Sequence, residues 1–299
     1  MEYSAVKLRE WLMRSVKQKT WSAYVKIWRT WSEFKKNTAG NDVDVLLLFM
    51  FQHIEAKHSP AYIRKQLAGI SFFLRLFRLP DVTKMAVVRQ VQKGFSRELS
   101  LKDHRKPITL PILQKLVGCL SVVCSDKYEA TLFKFLFILM FFAALRVSEA
   151  VSQSKREAGG LDLADVVLVK NRLKISIKSS KTDISRKGVT LWIGNFQQPN
   201  LCPVKAFLEF LKVRPKIPGP LFVHNNGTPV SIFQMQRVLQ LGIAKVGLPA
   251  CHYKSHSFRI GAATQASLLG LGENFIKRLG RWQSNRYLSY VRPNLVDVL

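Results

Sequence analysis

Residues 135–145, FLFILMFFAAL, form the longest charge-free apolar run in this 299-residue chain. The run is about half of what a helix needs to cross a bilayer, so it is expected to lie inside a packed domain. A helix is predicted from Tyr128 to Leu145, and it delivers Arg146 in LRVSEA. An arginine at the end of a buried helix needs a partner, because an unpaired buried charge is expensive. Glu149, three residues on, can brace it. Taken alone, the two read as a structural ion pair.

The segments around that helix predict a chain that is mainly α with one small sheet. Before it, aromatic and aliphatic residues recur at helical spacing through Trp21, Tyr24, Val25, Trp28 and Trp31. Val43 to Ile54 is a second helix. Ser59-Pro60, a cap followed by proline at the first helical position, opens a third through Ile63, Leu67, Ile70 and Leu74. Met85 to Phe95 is another. A charged stretch ending in proline, LSLKDHRKP, reads as a linker at 99–107. Thr109 then caps a helix through Ile112, Leu116 and Leu120. After Arg146 the period changes. Val166 to Lys170, Leu173 to Lys178 and Val189 to Ile193 alternate or are β-branched, which predicts three strands, with a tight turn at Asn171-Arg172. A helix from Pro203, a small strand at Leu221 to Val223, a turn at Asn225-Asn226-Gly227 and a helix from Ser231 through Val238 complete the approach to His256. Two domains are expected, 1–105 and 106–299.

The charge identifies the kind of partner. Lys and Arg number 47 against 19 Asp and Glu, a formal net charge of +28. Residues 1–105 carry 20 basic and 9 acidic side chains, and 106–299 carry 27 and 10. Both halves are basic, so one cationic tail does not account for the excess. A polyanion is implied, nucleic acid before acidic membrane, and a clamp with DNA between two positive surfaces fits the distribution. Four scattered cysteines, Cys119, Cys124, Cys202 and Cys251, suit a reducing compartment rather than a disulfide framework. His252 and His256 beside Cys251 lack the paired Cys-x-x-Cys that a zinc site would add. The N-terminus lacks the apolar core of a signal peptide, and an intracellular protein is expected.

The stretch from His256 to Tyr290, HSFRIGAATQASLLGLGENFIKRLGRWQSNRYLSY, holds the densest set of candidate functional residues. His256 and Arg259 lie three apart, so on a helix they share a face. Ser255 and Ser257 stand where an N-cap is expected, which would put the pair in the first turn, where the backbone N–H groups suit a phosphate. Gly261, Ala262 and Ala263 keep the next turn slim for close packing. Gly270 and Gly272 break the helix, and a short amphipathic one follows through Phe275, Ile276 and Leu279. Trp282, Tyr287 and Tyr290 come last. Each piece has an ordinary structural reading: a solvated helix face, a core tryptophan, a core tyrosine with a wet hydroxyl.

Their order and spacing resemble the C-terminal signature of the tyrosine recombinases, the phage-integrase family. HSFRIGAA is similar to that family's His-x-x-Arg helix, GRW to its third-ligand position in a Cre-like tryptophan form, and YVR to its nucleophile position. LRVSE is similar to its first catalytic arginine with a supporting carboxylate, Arg146 and Glu149. Lys181 in SKT resembles the lysine of its β-hairpin, with Lys178, Arg186 and Lys187 as neighbouring competitors. RLGRWQSNRYLSYVRP looks still more like the enzymes of eukaryotic DIRS-like and crypton mobile elements. KTWSAYVKIWRTWSEF is loosely similar to the helical core-binding domain that precedes the catalytic domain in the family.

The resemblance implies a helical core-binding domain over 1–105 and an α+β catalytic domain over 106–299. It implies an enzyme that cleaves and rejoins double-stranded DNA through a 3′-phosphotyrosyl bond, acting as a homo-oligomer, a tetramer on DNA. No metal, ATP or other cofactor is implied, since the tyrosyl bond stores the energy of the broken one. Arg146 and Arg259 would neutralise the phosphate, Lys181 would protonate the leaving oxygen, His256 would assist proton transfer and Trp282 would hold the phosphate or pack on the tyrosine. Tyr290 is preferred to Tyr287 as nucleophile because it stands in YVR, eight residues beyond Trp282. Two other readings share the charge: a catalytically silent DNA-binding protein derived from a mobile element, and an enzyme like the type IB topoisomerases. A eukaryotic host would make the location nuclear.

Overall fold

The computed structural model describes residues 7, 10–99, 103–154, 157, 159–178 and 188–297. The chain divides into two compact units, Met1–Asp103 and His104–Leu299.

Among the described residues of the first unit, the main helices are α1 (Gln18–Lys36), α2 (Asp42–Glu55), α3 (Pro60–Leu76) and α4 (Ala86–Glu98). The aromatic stripe of α1 is its packing face. Trp21 and Tyr24 meet Phe72, Trp28 meets Phe73 at 5.4 Å, and Trp31 meets Phe49 of α2 edge-on at 5.4 Å. Beneath them Ile27, Leu46, Met50, Ile63, Ile70 and Val88 are buried. Asn41 caps α2 by accepting from the N–H groups of Val43 and Asp44, and Ser59 caps α3 by accepting from Tyr62. Each cap supplies about 1 kcal/mol of helix stability.

The second unit is built around the apolar run. α5 (Leu110–Val123) and α6 (Lys127–Phe142) come first, then one short helical turn, α7 (Val147–Ala150). The sheet is β1 (Val166–Val169), β2 (Arg172–Ile177) and β3 (Val189–Ile193), antiparallel in that order, with Val166 opposite Ile175 and Leu173 opposite Ile193. α8 (Pro203–Val213), α9 (Ile232–Lys245), α10 (Ser257–Leu268) and α11 (Glu273–Gly280) follow. α6 packs against α5, α8 and α10. It buries Leu132, Phe133, Phe135, Leu136, Phe137, Ile138, Leu139 and Met140 completely, which is why its sequence is apolar on every side. Its phenylalanines meet Phe207 and Phe210 of α8 and Phe258 of α10. No helix among the described residues is long and apolar enough to cross a membrane.

The mainly α fold with a small sheet is as expected, and four local expectations need correction. The β1–β2 turn is Lys170-Asn171, both at positive φ (44° and 62°), not Asn171-Arg172. Both central residues of such a hairpin turn must be left-handed, and asparagine enters that region readily. Leu221 to Val223 is not a strand. It makes only isolated bridges, because the buried Arg214 donates to the carbonyls of Leu221, Pro215, Ile217 and Pro220 and ties the segment as a knot of loop. The helix after Ser231 runs on to Lys245, held by a reciprocal cap in which Gln234 accepts from the Ser231 N–H and Ser231 accepts from that of Gln234. The N-cap of α10 is His256 itself, while Ser257 Oγ accepts from the Lys254 N–H.

Gly261 is the close approach that the slim turn predicted. A Cβ there would stand 1.8 Å from the carbonyl oxygen of Ile108. Residues 106–108 run alongside this part of the chain, with the Ile108 N–H bonded to Ser257 O at 3.0 Å and the Lys106 N–H to His252 O at 2.9 Å.

Candidate active site

Three chain reversals meet at one cleft. The first follows α6. Ala144 lies in the left-handed region (φ 43°), its N–H bonds to Phe141 O and that of Leu145 to Met140 O. This helix ending is usually made with glycine. Here an alanine makes it, and its carbonyl turns toward two guanidinium groups. The chain emerges at Arg146. Glu149 Oε2 accepts the Arg146 backbone N–H at 2.9 Å and Oε1 accepts its Nη1 at 2.7 Å, so one buried carboxylate holds both the main chain and the side chain of this arginine.

The second reversal is the start of α10. Arg259 is fully buried, with Nη1 donating to Ala144 O at 2.6 Å and Nη2 to Gly280 O. Its carbons and charge sit under the Trp282 ring, 4.5 Å from centroid to Cζ. Burial, with Arg146 and Arg281 nearby, pulls its pKa down to about 10, against the opposing pull of Glu149 and Tyr290. It therefore remains a cation at neutral pH, and its Nε finds no partner among the described residues.

The third reversal ends α11. Arg281, another non-glycine residue in the left-handed region (φ 57°), turns the chain, and the Trp282 N–H bonds to Lys277 O at 2.9 Å. Gly280 must be glycine, because a Cβ there would lie 1.9 Å from the Trp282 ring. Arg281 Nη2 donates to Glu149 Oε2 at 2.6 Å. Sequence reasoning passed over this residue inside GRW; a basic residue filling a helix-ending position, directly between a glycine and the candidate tryptophan, was the available signal.

Tyr290 closes the cleft. A 3₁₀ turn, Asn285–Ser289, carries it. Its ring is 5.1 Å from that of His256 and 4.7 Å from that of Trp282, and the Arg259 guanidinium is 5.6 Å from its centroid. Arg146, His256, Arg281, Trp282, Arg286 and Tyr290 line a space of about 550 Å³. Tyr287 is buried with Ala263, Ala266, Ile276 and Trp282, a cluster against which Tyr290 also packs, and the Lys277 ammonium lies over the Tyr287 ring. Thus Arg146, Glu149, His256, Arg259, Trp282 and Tyr290 come together. Lys181, together with Arg186 and Lys187, lies outside the described residues. Its competitor Lys178 is engaged elsewhere, with Nζ 2.6 Å from Asp162 and 3.2 Å from Asp165, and hydrogen bonds to those carboxylates raise its pKa. Among the described residues no cluster of His, Cys, Asp and Glu is placed to hold a metal.

The arrangement can hold an anion beside a phenol. The guanidinium groups of Arg146, Arg259 and Arg281 outnumber the single carboxylate, Glu149, that neutralises them. Such a surplus of guanidinium donors suits a negatively charged group.

A helical unit followed by a mainly α unit with a small antiparallel sheet is a fold shared with tyrosine recombinases of known structure. The chain is similar to the Tn1549 transposon integrase (residues 82–397) in complex with circular intermediate DNA, at a TM-score of 0.67 and 15% identity over 99% of this chain and 94% of that one. It is similar to a lambda integrase dimer bound to a COC′ core site (TM-score 0.63, 15% identity, 98% and 79% covered) and to the XerH site-specific recombinase on palindromic difH substrate in a post-cleavage complex (0.59, 14%, 87% and 72%). No family model and no curated protein sequence matches the chain.

Proposed function

We propose that this chain is a DNA recombinase or integrase that breaks and rejoins a phosphodiester through Tyr290. The observation that carries the reading is the Tyr290 ring packed against His256 and Trp282, in a cleft lined by Arg146 and lying over the buried Arg259. The likeness to integrases and recombinases solved on DNA, and a net charge of +28, support duplex DNA as the substrate. In this reading the Tyr290 oxygen attacks phosphorus, a 3′-phosphotyrosyl bond forms and the bond to the 5′ oxygen breaks. The phenolic proton passes by way of His256, and Lys181 supplies a proton to the departing oxygen. Arg146 and Arg259 meet the charge that grows on the non-bridging oxygens, and that preorganised field is the largest contribution to rate. Trp282 walls the tyrosine from water.

Residues 1–105 would serve as the core-binding domain and 106–299 as the catalytic domain, with copies of the chain assembling on DNA. The phrase RLGRWQSNRYLSYVRP favours a mobile element as source, and a eukaryotic host would place the enzyme in the nucleus. The test is a panel of candidate duplexes nicked close to the cleavage position, on which diffusion of the cut end traps the intermediate. A protein–DNA adduct that survives denaturation is the expected result. Binding without adduct across the panel would leave a silent DNA-binding protein, and adduct with site-independent relaxation of supercoils would indicate a topoisomerase.

A further inference from the structure

The site contains an arginine that the proposed mechanism leaves without a task. Arg281 lines the same cleft as Arg146, His256 and Tyr290. It also lines the adjoining shallow, basic depression with Lys277 and Arg278. Its side chain is only 10% exposed. The Glu149 carboxylate is divided between two guanidiniums: Oε1 faces Arg146 at 2.7 Å, and Oε2 faces Arg281 at 2.6 Å. The carbonyl of Ala144 is shared in the same way, by Arg259 at 2.6 Å and Arg281 at 3.3 Å, and Ala143 O is 3.4 Å from Arg281 Nη1. One planar fork thus touches the anchors of both other arginines. Its Nε is buried and finds no partner among the described residues. Finally, it occupies a left-handed position that glycine fills with less strain, so the backbone does not call for an arginine there.

We propose that Arg281 is a positioning residue for oxyanion binding. It holds Glu149 and the Ala143–Ala144 carbonyls so that Arg146 and Arg259 are fixed in one arrangement, and it adds the third guanidinium charge that a phosphate in the cleft would feel. This rests on the reading of the cleft as a phosphate site, and it concerns how that site is held rather than whether DNA is cut. Lysine cannot replace the fork, because a single ammonium cannot span the carboxylate and both carbonyls in fixed geometry.

The experiment titrates the full-length protein with orthovanadate, followed by ⁵¹V line broadening at about 0.15 M salt, where exposed charges are screened beyond about 8 Å. Wild type should bind. R281Q should weaken binding about tenfold and R281K about threefold, as expected for loss of a charge-assisted contact. R278Q, which removes an exposed charge from the neighbouring depression, should stay within about twofold of wild type. Because Arg281 acts through Glu149, R281Q added to E149Q should weaken binding far less than the product of the two single effects. Melting curves identify any variant that fails to fold, and R281K, which keeps charge and most of the volume, decides the matter if R281Q unfolds. Folded R281K with wild-type affinity, multiplicative effects in the double variant, or no vanadate binding by wild type would each overturn the proposal. Arg281-dependent binding in a protein that forms no DNA adduct would refute the recombinase reading and leave this role standing.

Discussion

At the scale of single residues, Tyr287 and Tyr290 separate by what surrounds them. In a 3₁₀ turn side chains three apart lie on one side, so period alone cannot choose between them. Their surroundings differ: Tyr287 is 8% exposed in a small apolar cluster, while Tyr290, packed at the edge of that cluster, also lines the cleft with His256 and Arg146. Tyr290→Phe should keep the melting temperature and DNA affinity and abolish the covalent adduct. Tyr287→Phe should still form adduct, and peptide mapping of trapped complex should place the nucleotide on Tyr290. Arg259 is a different kind of residue, since its fork also ties the end of α6 to the end of α11 through Ala144 and Gly280. Its removal would disturb packing as well as charge, which is why the tyrosine pair gives the cleaner test.

At the scale of elements, two contacts set where the tyrosine turn can lie. The first is α10 against residues 106–108, which requires Gly261. Gly261→Ala would drive a methyl into the Ile108 carbonyl, and backbone at both sides cannot yield cheaply. A loss of about 2 kcal/mol or more is expected in chemical denaturation, together with weakened adduct formation, because His256 and Arg259 ride on this helix. The second contact holds the chain beyond Tyr290. Thr264 Oγ1 donates to Tyr290 O and accepts from the Arg292 N–H, Arg292 Nη1 donates to Arg105 O, and Asp297 receives Lys106 and the Tyr253 hydroxyl. Burial raises the pKa of Asp297, but hydrogen bonds from Lys106 and Tyr253 outweigh it and hold the carboxyl below its usual value. A depressed carboxyl pKa contributes stability above the unfolded-state value and loses it as pH falls through the folded value. Asp297→Asn should therefore cost about 1–2 kcal/mol at pH 7. The gap from wild type should begin to narrow near about pH 4, the ordinary carboxyl value, and close only as pH falls through the lower folded-state value, as followed by thermal melts across pH.

At the scale of the whole molecule, the charge makes a prediction of its own. With a net charge of +28 and an excess in both halves of the chain, affinity for duplex DNA should fall at least about tenfold between low and physiological salt, through release of counterions from the contacted phosphates. Fluorescence anisotropy over a salt series gives the slope directly, and a flat slope would contradict an electrostatic origin. The surplus of three arginines over one carboxylate in the cleft is a local version of the same effect.

Much of this was legible in the chain itself because it depends on period and composition. The apolar run 135–145 read as a buried helix, the alternating or β-branched segments 166–170, 173–178 and 189–193 read as strands, and the aromatic spacing of α1 marked its packing face before any partner was known. Candidate site residues from Arg146 to Tyr290 were named by type and order. Tertiary structure alone decided what those residues touch. That Glu149 also meets Arg281, that Arg281 lines the cleft and that Ala144 offers one carbonyl to two guanidiniums depend on groups 115 to 137 positions apart, and the loop around Arg214 depends on carbonyls up to 7 positions away. Local sequence encodes φ, ψ and which face is apolar. It carries no record of which distant donor finds which acceptor, and that pairing is settled only when the helices pack and each buried charge must find a partner.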